Sequence, residues 1–293
     1  MCNRPKVAAY RAPGSPIAAF ATESVIDELC NQLGLDPMEV RLKNAAREGT
    51  HSSYGPTYPQ IGLVDCLEAA KAHPHWTSPL KDMQGRGISC GFWFNFGMET
   101  SVNLMLSEDG SVQITVGTPD IGGSRASIAL MAAEELGIPY ENIRVNIADT
   151  ASLGFNEQSH GSRVTFASGL AAIEAARDAK KKLCSRAAAK WGIPEEAVEW
   201  MDGCAVPAGP NAGDFDPVPI SEIAKKMGRT GGPISGHHAV TAEGAGVSFA
   251  VHLVDSEVDP ETGKTTITRY TVVQDAGKAV HPSYVEGQFQ GGA

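Results

Sequence analysis

The chain has 293 residues and a mass of 30.8 kDa, enough to bury one large core or two domains. With 42% hydrophobic and 20% charged residues, 32 Gly and 18 Pro, it is globular and loop-rich, which excludes fibrous and disordered classes. The 34 acidic residues against 24 basic ones, a formal charge of -10, argue against a polyanion-binding surface and so against nucleic acid as a partner.

Six cysteines (Cys2, Cys30, Cys66, Cys90, Cys184 and Cys204) lie far apart and form none of the close pairs expected of zinc or iron-sulfur ligation, so each is expected to be an ordinary thiol. No run approaches the roughly 18 to 20 apolar residues that span a bilayer. The N-terminus, Met1 to Val7, lacks a long apolar region and a signal-like cleavage site, which favours a cytoplasmic protein.

After the turn Arg11-Ala12-Pro13-Gly14-Ser15-Pro16, residues 17–33 place Ile17, Phe20, Val25, Ile26, Leu29 and Leu33 at helical spacing. Asp36-Pro37 offers an N-cap and a first-turn proline for a second helix through Ala45, with Gly49 as its stop. Residues 50–60 form a polar loop, and 62–73 carry a third helix with Leu63, Val64, Leu67 and Ala70 on one side. The His73-Pro74-His75-Trp76 and Ser78-Pro79 signals fit a boundary near 76–84, dividing the chain into 1–83 and 84–293.

Residues 87–96 and 101–107 are strand-like, and Glu108-Asp109-Gly110 turns into Val112, Ile114 and Val116, making a hairpin. Gly122-Gly123-Ser124 precedes a helix through Leu136, which leads to a strand at 143–147. Alanine, leucine and lysine from Thr165 to Lys190 predict a long helix, followed by a hairpin around Asp202-Gly203 and a short helix from Ile220 to Met227. Segments 247–253 and 265–273 flank a Pro260-Glu261-Thr262-Gly263 turn and should pair antiparallel. The mixture gives an α+β or mixed α/β fold class rather than an all-helical one.

Few positions carry chemistry by themselves. Arg11, held beside a Pro-Gly turn, suits a guanidinium fixed near an anionic or carbonyl-bearing ligand, although by sequence alone a solvent-facing or structural arginine is the commoner reading. Gly14, Gly122, Gly123 and Gly161 would permit close backbone approach to an anion, especially where a helix follows. Ser159-His160-Gly161-Ser162-Arg163 combines flexible backbone, hydroxyls and a cation at a helix start, which reads either as an anion site or as a Ser162 N-cap followed by a surface Arg163. His160, His237 and His238 do not define metal coordination. Asp275-Ala276-Gly277-Lys278 follows a strand and makes a turn where ligand-facing backbone could emerge. There is no GxGxxG, Walker or Gly-x-Ser-x-Gly signal, so nicotinamide, ATP and α/β-hydrolase chemistry lack their usual argument.

Taken together, Ala9-Tyr10-Arg11-Ala12-Pro13-Gly14, Glu23-Ser24-Val25-Ile26-Asp27-Glu28, Leu35-Asp36-Pro37, Arg41-Leu42-Lys43-Asn44, Gly117-Thr118-Pro119-Asp120-Ile121-Gly122-Gly123-Ser124, Gly161-Ser162-Arg163, Asp275-Ala276-Gly277 and Gly287-Gln288 form a composite far more specific than any one word. Across nearly its whole length the chain resembles the molybdenum-binding large subunit of the xanthine dehydrogenase, aldehyde oxidase and aerobic carbon monoxide dehydrogenase family.

The resemblance implies the α+β fold of the molybdopterin-binding domains of molybdenum hydroxylases, incomplete at both ends. It places Arg11, Pro13 and Gly14 at the substrate side of the pocket. Gly122, Gly123, Ser124, Gly161, Ser162, Arg163 and Gln288 become cofactor contacts, and no residue of this chain is a metal ligand. Many relatives have Gly-Gln-Gly where this chain has Gly122-Gly123-Ser124, so the usual glutamine contact does not carry over. The chain stops before a second cofactor-binding glutamine and before the catalytic glutamate, so no catalytic residue is assigned and the isolated chain is expected to be inactive.

The implied cofactor is molybdopterin, with the cytosine dinucleotide form as one option, and [2Fe-2S] and FAD groups would sit on companion domains or subunits. The implied activity is hydroxylation of an aldehyde or N-heterocycle with water-derived oxygen, within a larger oligomeric complex. The alternative is a noncatalytic assembly or cofactor-handling protein that retains the scaffold. Missing ends would also leave exposed apolar surface or unpaired strand edges.

Overall fold

The computed structural model describes Asn3 and residues 9–147, 151–243 and 246–293. Apart from Asn3, the N-terminal segment read for a targeting signal lies outside the described residues, as does Cys2. In chain order the first elements are helices α1 (Ser15–Leu33), α2 (Pro37–Asn44), α3 (Leu63–Ala72) and α4 (Pro74–Thr77). Strands β1 (Gln84–Phe94), β2 (Met98–Leu106) and β3 (Val112–Val116), helix α5 (Ser124–Leu136) and strand β4 (Ile143–Ile147) follow. Helix α6 (Gly169–Trp191) is entered through a π-helical turn at Val164–Ser168. Then come β5 (Val198–Met201), β6 (Cys204–Pro207), β7 (Val218–Pro219), α7 (Ile220–Lys226), β8 (Ser235–Ala242), β9 (Val247–Val258), β10 (Thr265–Gln274) and α8 (Pro282–Gly292).

These elements gather into two compact units, one of Met1–Asn95, Gly246–Ala279 and Gly287–Ala293, the other of Phe96–Ala245 and Val280–Glu286. In the first, β9 pairs antiparallel with β1 on one side and β10 on the other. Alternation along β9 turns Phe249, Val251 and Leu253 into a core shared with Met38, Leu63, Leu67 and Ala70. Helix α2 starts where Asp36 Oδ1 accepts from the Met38 and Glu39 amides at 2.7 and 3.1 Å, with Pro37 in the first turn.

Two buried charge networks tie this unit together. Arg41 donates to Glu23 and Asp27, each at 2.9 Å, and the same Glu23 accepts the Cys90 amide. Burial and the nearby Glu23 push the Cys90 thiol up to about 12, so it stays neutral and inert at physiological pH. Asp255 receives a bidentate Arg86 guanidinium at 2.7 and 2.8 Å, and the buried His75 lies 3.1 Å from the same carboxylate. That paired charge holds the Asp255 carboxyl below the usual carboxylate range against the opposing cost of its burial. Helix α1 contrasts with its neighbours: Ile17, Phe20 and Leu33 stay more than half exposed.

The second unit centres on a four-stranded sheet in the order β4-β3-β2-β8. The β2–β3 hairpin is antiparallel, while β3 and β4 run parallel and are connected through α5. Val102, Leu104, Leu106, Val112, Ile114 and Val116 face α5 and the alanine face of α6, Ala172, Ala175, Ala176 and Ala179. Small residues let α6 lie close to β8: a Cβ added at Gly236 would meet Ala175 C at 2.9 Å and Ala179 N at 3.1 Å. A small sheet, β5-β6-β7, joins the unit in part through Trp200, whose indole N–H donates to the Leu136 carbonyl at 2.8 Å. No described helix is long and apolar enough to cross a membrane.

Two local expectations are corrected. Ser162 does not cap a helix from its side chain; it adopts a left-handed conformation at φ 57, and the long helix opens as a π turn. Arg163 is not a surface cation but is fully buried, because its side chain turns inward onto backbone carbonyls.

Candidate functional site

The loop after β3 begins at Gly117 and ends at the first turn of α5. Gly122 and Gly123 are both left-handed, at φ 64 and 80, a pairing that side-chain-bearing residues adopt at a cost. Asp120 stabilises the turn: its Oδ1 accepts the Arg125 amide at 3.1 Å, and its Oδ2 lies 3.3 Å from the Arg125 guanidinium. Ser124, in the first turn of α5, is buried. The ring of Tyr284 lies against Gly123 in the space a side chain would need.

The second loop, residues 154–163, runs into the π turn ahead of α6. Gly161 is left-handed at φ 65, its carbonyl accepts the Phe96 amide at 2.8 Å, and the Phe96 ring fills the place of a side chain at 161. Ser162 continues the left-handed run. Behind it the Arg163 guanidinium donates to the carbonyls of Gly97 (2.8 Å), Glu99 (2.7 Å) and Glu157 (3.1 Å). Burial lowers its pKa and Glu157 partly opposes that, yet a guanidinium remains protonated in a protein. With no carboxylate in ion-pair contact among the described residues, this cation keeps its charge behind the Gly161–Ser162 turn.

The two loops adjoin. A Cβ at Gly117 would meet the Asn156 amide at 2.8 Å, and Thr118 Oγ1 lies 3.3 Å from Ser168 Oγ in the interior. Asn156 itself accepts from Thr100 Oγ1 and donates to Ser101 Oγ and the Gly154 carbonyl. Among the described residues, the backbone N–H groups of Gly122, Gly123, Gly161 and Ser162 have no protein acceptor. The buried Ser159 Oγ is likewise without a partner there. Unpaired amides in consecutive turn conformations, ahead of helix starts and backed by a buried cation, make an anion-accepting surface.

In the other unit, Arg11 and Ala12 are left-handed, at φ 43 and 49, and Gly14, at φ 80, opens α1. Arg11 Nη2 donates to the Gln288 carbonyl at 2.8 Å, so these two positions meet although they lie near opposite ends of the chain. The Gln288 side chain and Pro13 are exposed. Asp275 works locally: its carboxylate accepts the Gly62 amide at 2.9 Å and the Gly277 amide at 2.8 Å, pinning the start of α3. Sequence reasoning missed Asn156, Thr118 with Ser168, and Tyr284; only the buried partners reveal them. Among the described residues no cluster of three or more His, Cys, Asp or Glu could hold a metal ion.

Residues 65–293 match the molybdopterin cofactor-binding domain family, and residues 1–45 match a second family of the same description. The chain belongs to the molybdopterin cofactor-binding domain family. It is 29% identical, over 310 residues, to the putative xanthine dehydrogenase molybdenum-binding subunit of Escherichia coli K12, covering 99% of this chain and 41% of that protein. It is 25% identical to the nicotine 6-hydroxylase large subunit of Paenarthrobacter nicotinovorans, covering 99% of this chain and 39% of that one.

The crystal structure of the aldehyde oxidoreductase from Desulfovibrio desulfuricans superposes at a TM-score of 0.71 with 26% identity, over 97% of this chain and 31% of that one. The α+β fold is therefore that of the molybdopterin-binding domains of molybdenum hydroxylases, and the chain is homologous to their large subunits. It spans about two-fifths of the length of the curated relatives it matches. The free amides of the glycine loops in the second unit are chemically suited to the anionic oxygens of such a cofactor.

Proposed function

We propose that this chain supplies the cofactor-contacting loops of a molybdenum hydroxylase that oxidises an aldehyde or an N-heterocycle within a larger complex. The observation that carries the reading is the pair of left-handed turns within one structural unit, Gly122–Gly123 and Gly161–Ser162, with unpaired amides and with the buried Arg163 guanidinium next in sequence to the second. Gly161 and Ser162 would donate to the pterin portion through their amides, while Gly122, Gly123 and Ser124 would line its flank. Arg163 would act from behind, holding the loop and biasing it toward anions rather than touching the cofactor.

Two-electron oxidation of a C–H carbon with water-derived oxygen is the chemistry that molybdopterin supplies when bound. Arg11, with Pro13 and Gly14, would face substrate, and its permanent charge would orient a carbonyl or ring nitrogen without exchanging a proton. Its bond to the Gln288 carbonyl would fix that guanidinium in place. The two substrate classes proposed are in keeping with the names of similar proteins, an aldehyde oxidoreductase and a nicotine 6-hydroxylase. Iron-sulfur and flavin partners would remove the electrons.

The test is to purify the protein as its gene encodes it, with any copurifying subunits, and to measure molybdenum and oxidatively released pterin. Aldehydes and N-heterocycles are then screened with an artificial acceptor. Bound pterin together with turnover of one class supports the proposal. Pterin without turnover favours a noncatalytic cofactor-handling protein, and absence of pterin from wild type while Gly161→Val changes nothing defeats both.

A further inference from the structure

The strongest unexplained contact in the second unit lies between residues far apart in the chain. Gly123 is left-handed at φ 80 and caps α5 without a side-chain bond. A Cβ built on it would lie 3.0 Å from Tyr284 Cγ and closer still to Cδ2 and Cε2 of the same ring. The ring thus occupies the volume that a side chain at 123 would enter. It is held there from its own side: Tyr284 and His281 stack with centroids 3.8 Å apart and an interplanar angle of 7°. Ser283 Oγ lies 3.2 Å from His281 Nδ1, and the Tyr284 and Val285 amides both donate to the His281 carbonyl at 3.1 Å. A half-exposed tyrosine needs no such arrangement for solubility; the stack delivers a rigid aromatic surface to one glycine.

We infer that Tyr284, backed by His281, is a positioning residue for the Gly122–Gly123 loop, its ring filling the side-chain space at 123 and fixing the direction of the loop amides. The inference rests on the reading of that loop as a cofactor contact. It accounts for glycine at 123 on packing grounds: the wall there is built from the start of α8 instead of from the loop itself. Left-handed strain alone would also disfavour a side chain at 123, but that cost would be independent of residue 284. Ring packing makes the two positions depend on each other.

The test is a double-mutant cycle in the protein as encoded, comparing wild type, Tyr284→Phe, Tyr284→Ala, Gly123→Ala and the Gly123→Ala/Tyr284→Ala pair. The readouts are pterin bound per chain and the thermal midpoint. With Tyr284 present, Gly123→Ala should lower pterin content about tenfold, whereas with Ala at 284 the same change should cost about threefold or less, the residue of left-handed strain. Tyr284→Phe, which keeps the ring, should hold pterin within about twofold of wild type. Equal losses from Gly123→Ala in both backgrounds would overturn the inference, as would a Phe variant as depleted as the Ala variant. A pterin-free wild type would instead overturn the cofactor reading, a result read before any variant is compared.

Discussion

Arg163 shows how a residue can be picked out correctly as special in sequence and still be used differently in the fold. Its position beside Gly161 and Ser162 suggested a guanidinium aimed at an anion or out to solvent. In the structure the forked donors, Nε, Nη1 and Nη2, each reach a different carbonyl, those of Gly97, Glu157 and Glu99, a spread that a single lysine nitrogen does not reproduce. The local signal was real, since a cation does sit at this turn, but its direction depends on the carbonyls of residues 97 and 99, and those are placed by β2 and the segment leading into it. Arg163→Met should strand those carbonyls and lower stability by roughly 3 kcal/mol or more. Chemical denaturation followed by tryptophan fluorescence measures this, and an unchanged midpoint would show that the buried fork is dispensable. Tyr284 was invisible for the same kind of reason: its partner Gly123 is remote in sequence, and neither residue announces the other.

Among the elements, those with their own punctuation were legible. Asp36 and Pro37 start α2 as read, the Glu108-Asp109-Gly110 turn joins β2 to β3, and the Pro260 to Gly263 turn joins β9 to β10. Strand β8 was not legible, because Ser235-Gly236-His237-His238 has no β-branched alternation; it forms because β2 offers an edge and α6 offers an alanine face. Helix α8 was hidden by its glycines, Gly287, Gly291 and Gly292, which lower intrinsic helix preference. The glycine in β8 is required by proximity rather than by conformation. Gly236→Val would drive a branched side chain into the Ala175–Ala179 backbone of α6, and a loss of roughly 3 kcal/mol is expected from the forced separation. A thermal midpoint matching wild type would mean that α6 can move off the sheet at little cost.

For the molecule as a whole, family membership was legible in the composite of short words spread along the chain, and the matches over residues 65–293 and 1–45 bear it out. Composition and hydrophobic period gave the mixed fold class but could not select this family, since glycine turns before helices occur in many folds. The candidate site was named in the sequence only as a set of positions. What the sequence could not supply was orientation: the left-handed Ser162, the inward Arg163 and the Arg11 bond to the Gln288 carbonyl are products of tertiary packing. The central claim is that the two glycine turns present their free amides to a molybdopterin group. The most direct measurement is an experimental structure of the cofactor-loaded protein, purified as encoded. The account predicts pterin oxygen atoms within hydrogen-bonding distance of the Gly161 or Ser162 amides, with Gly122–Gly123 along the same ligand; well-ordered pterin density remote from both turns would contradict it.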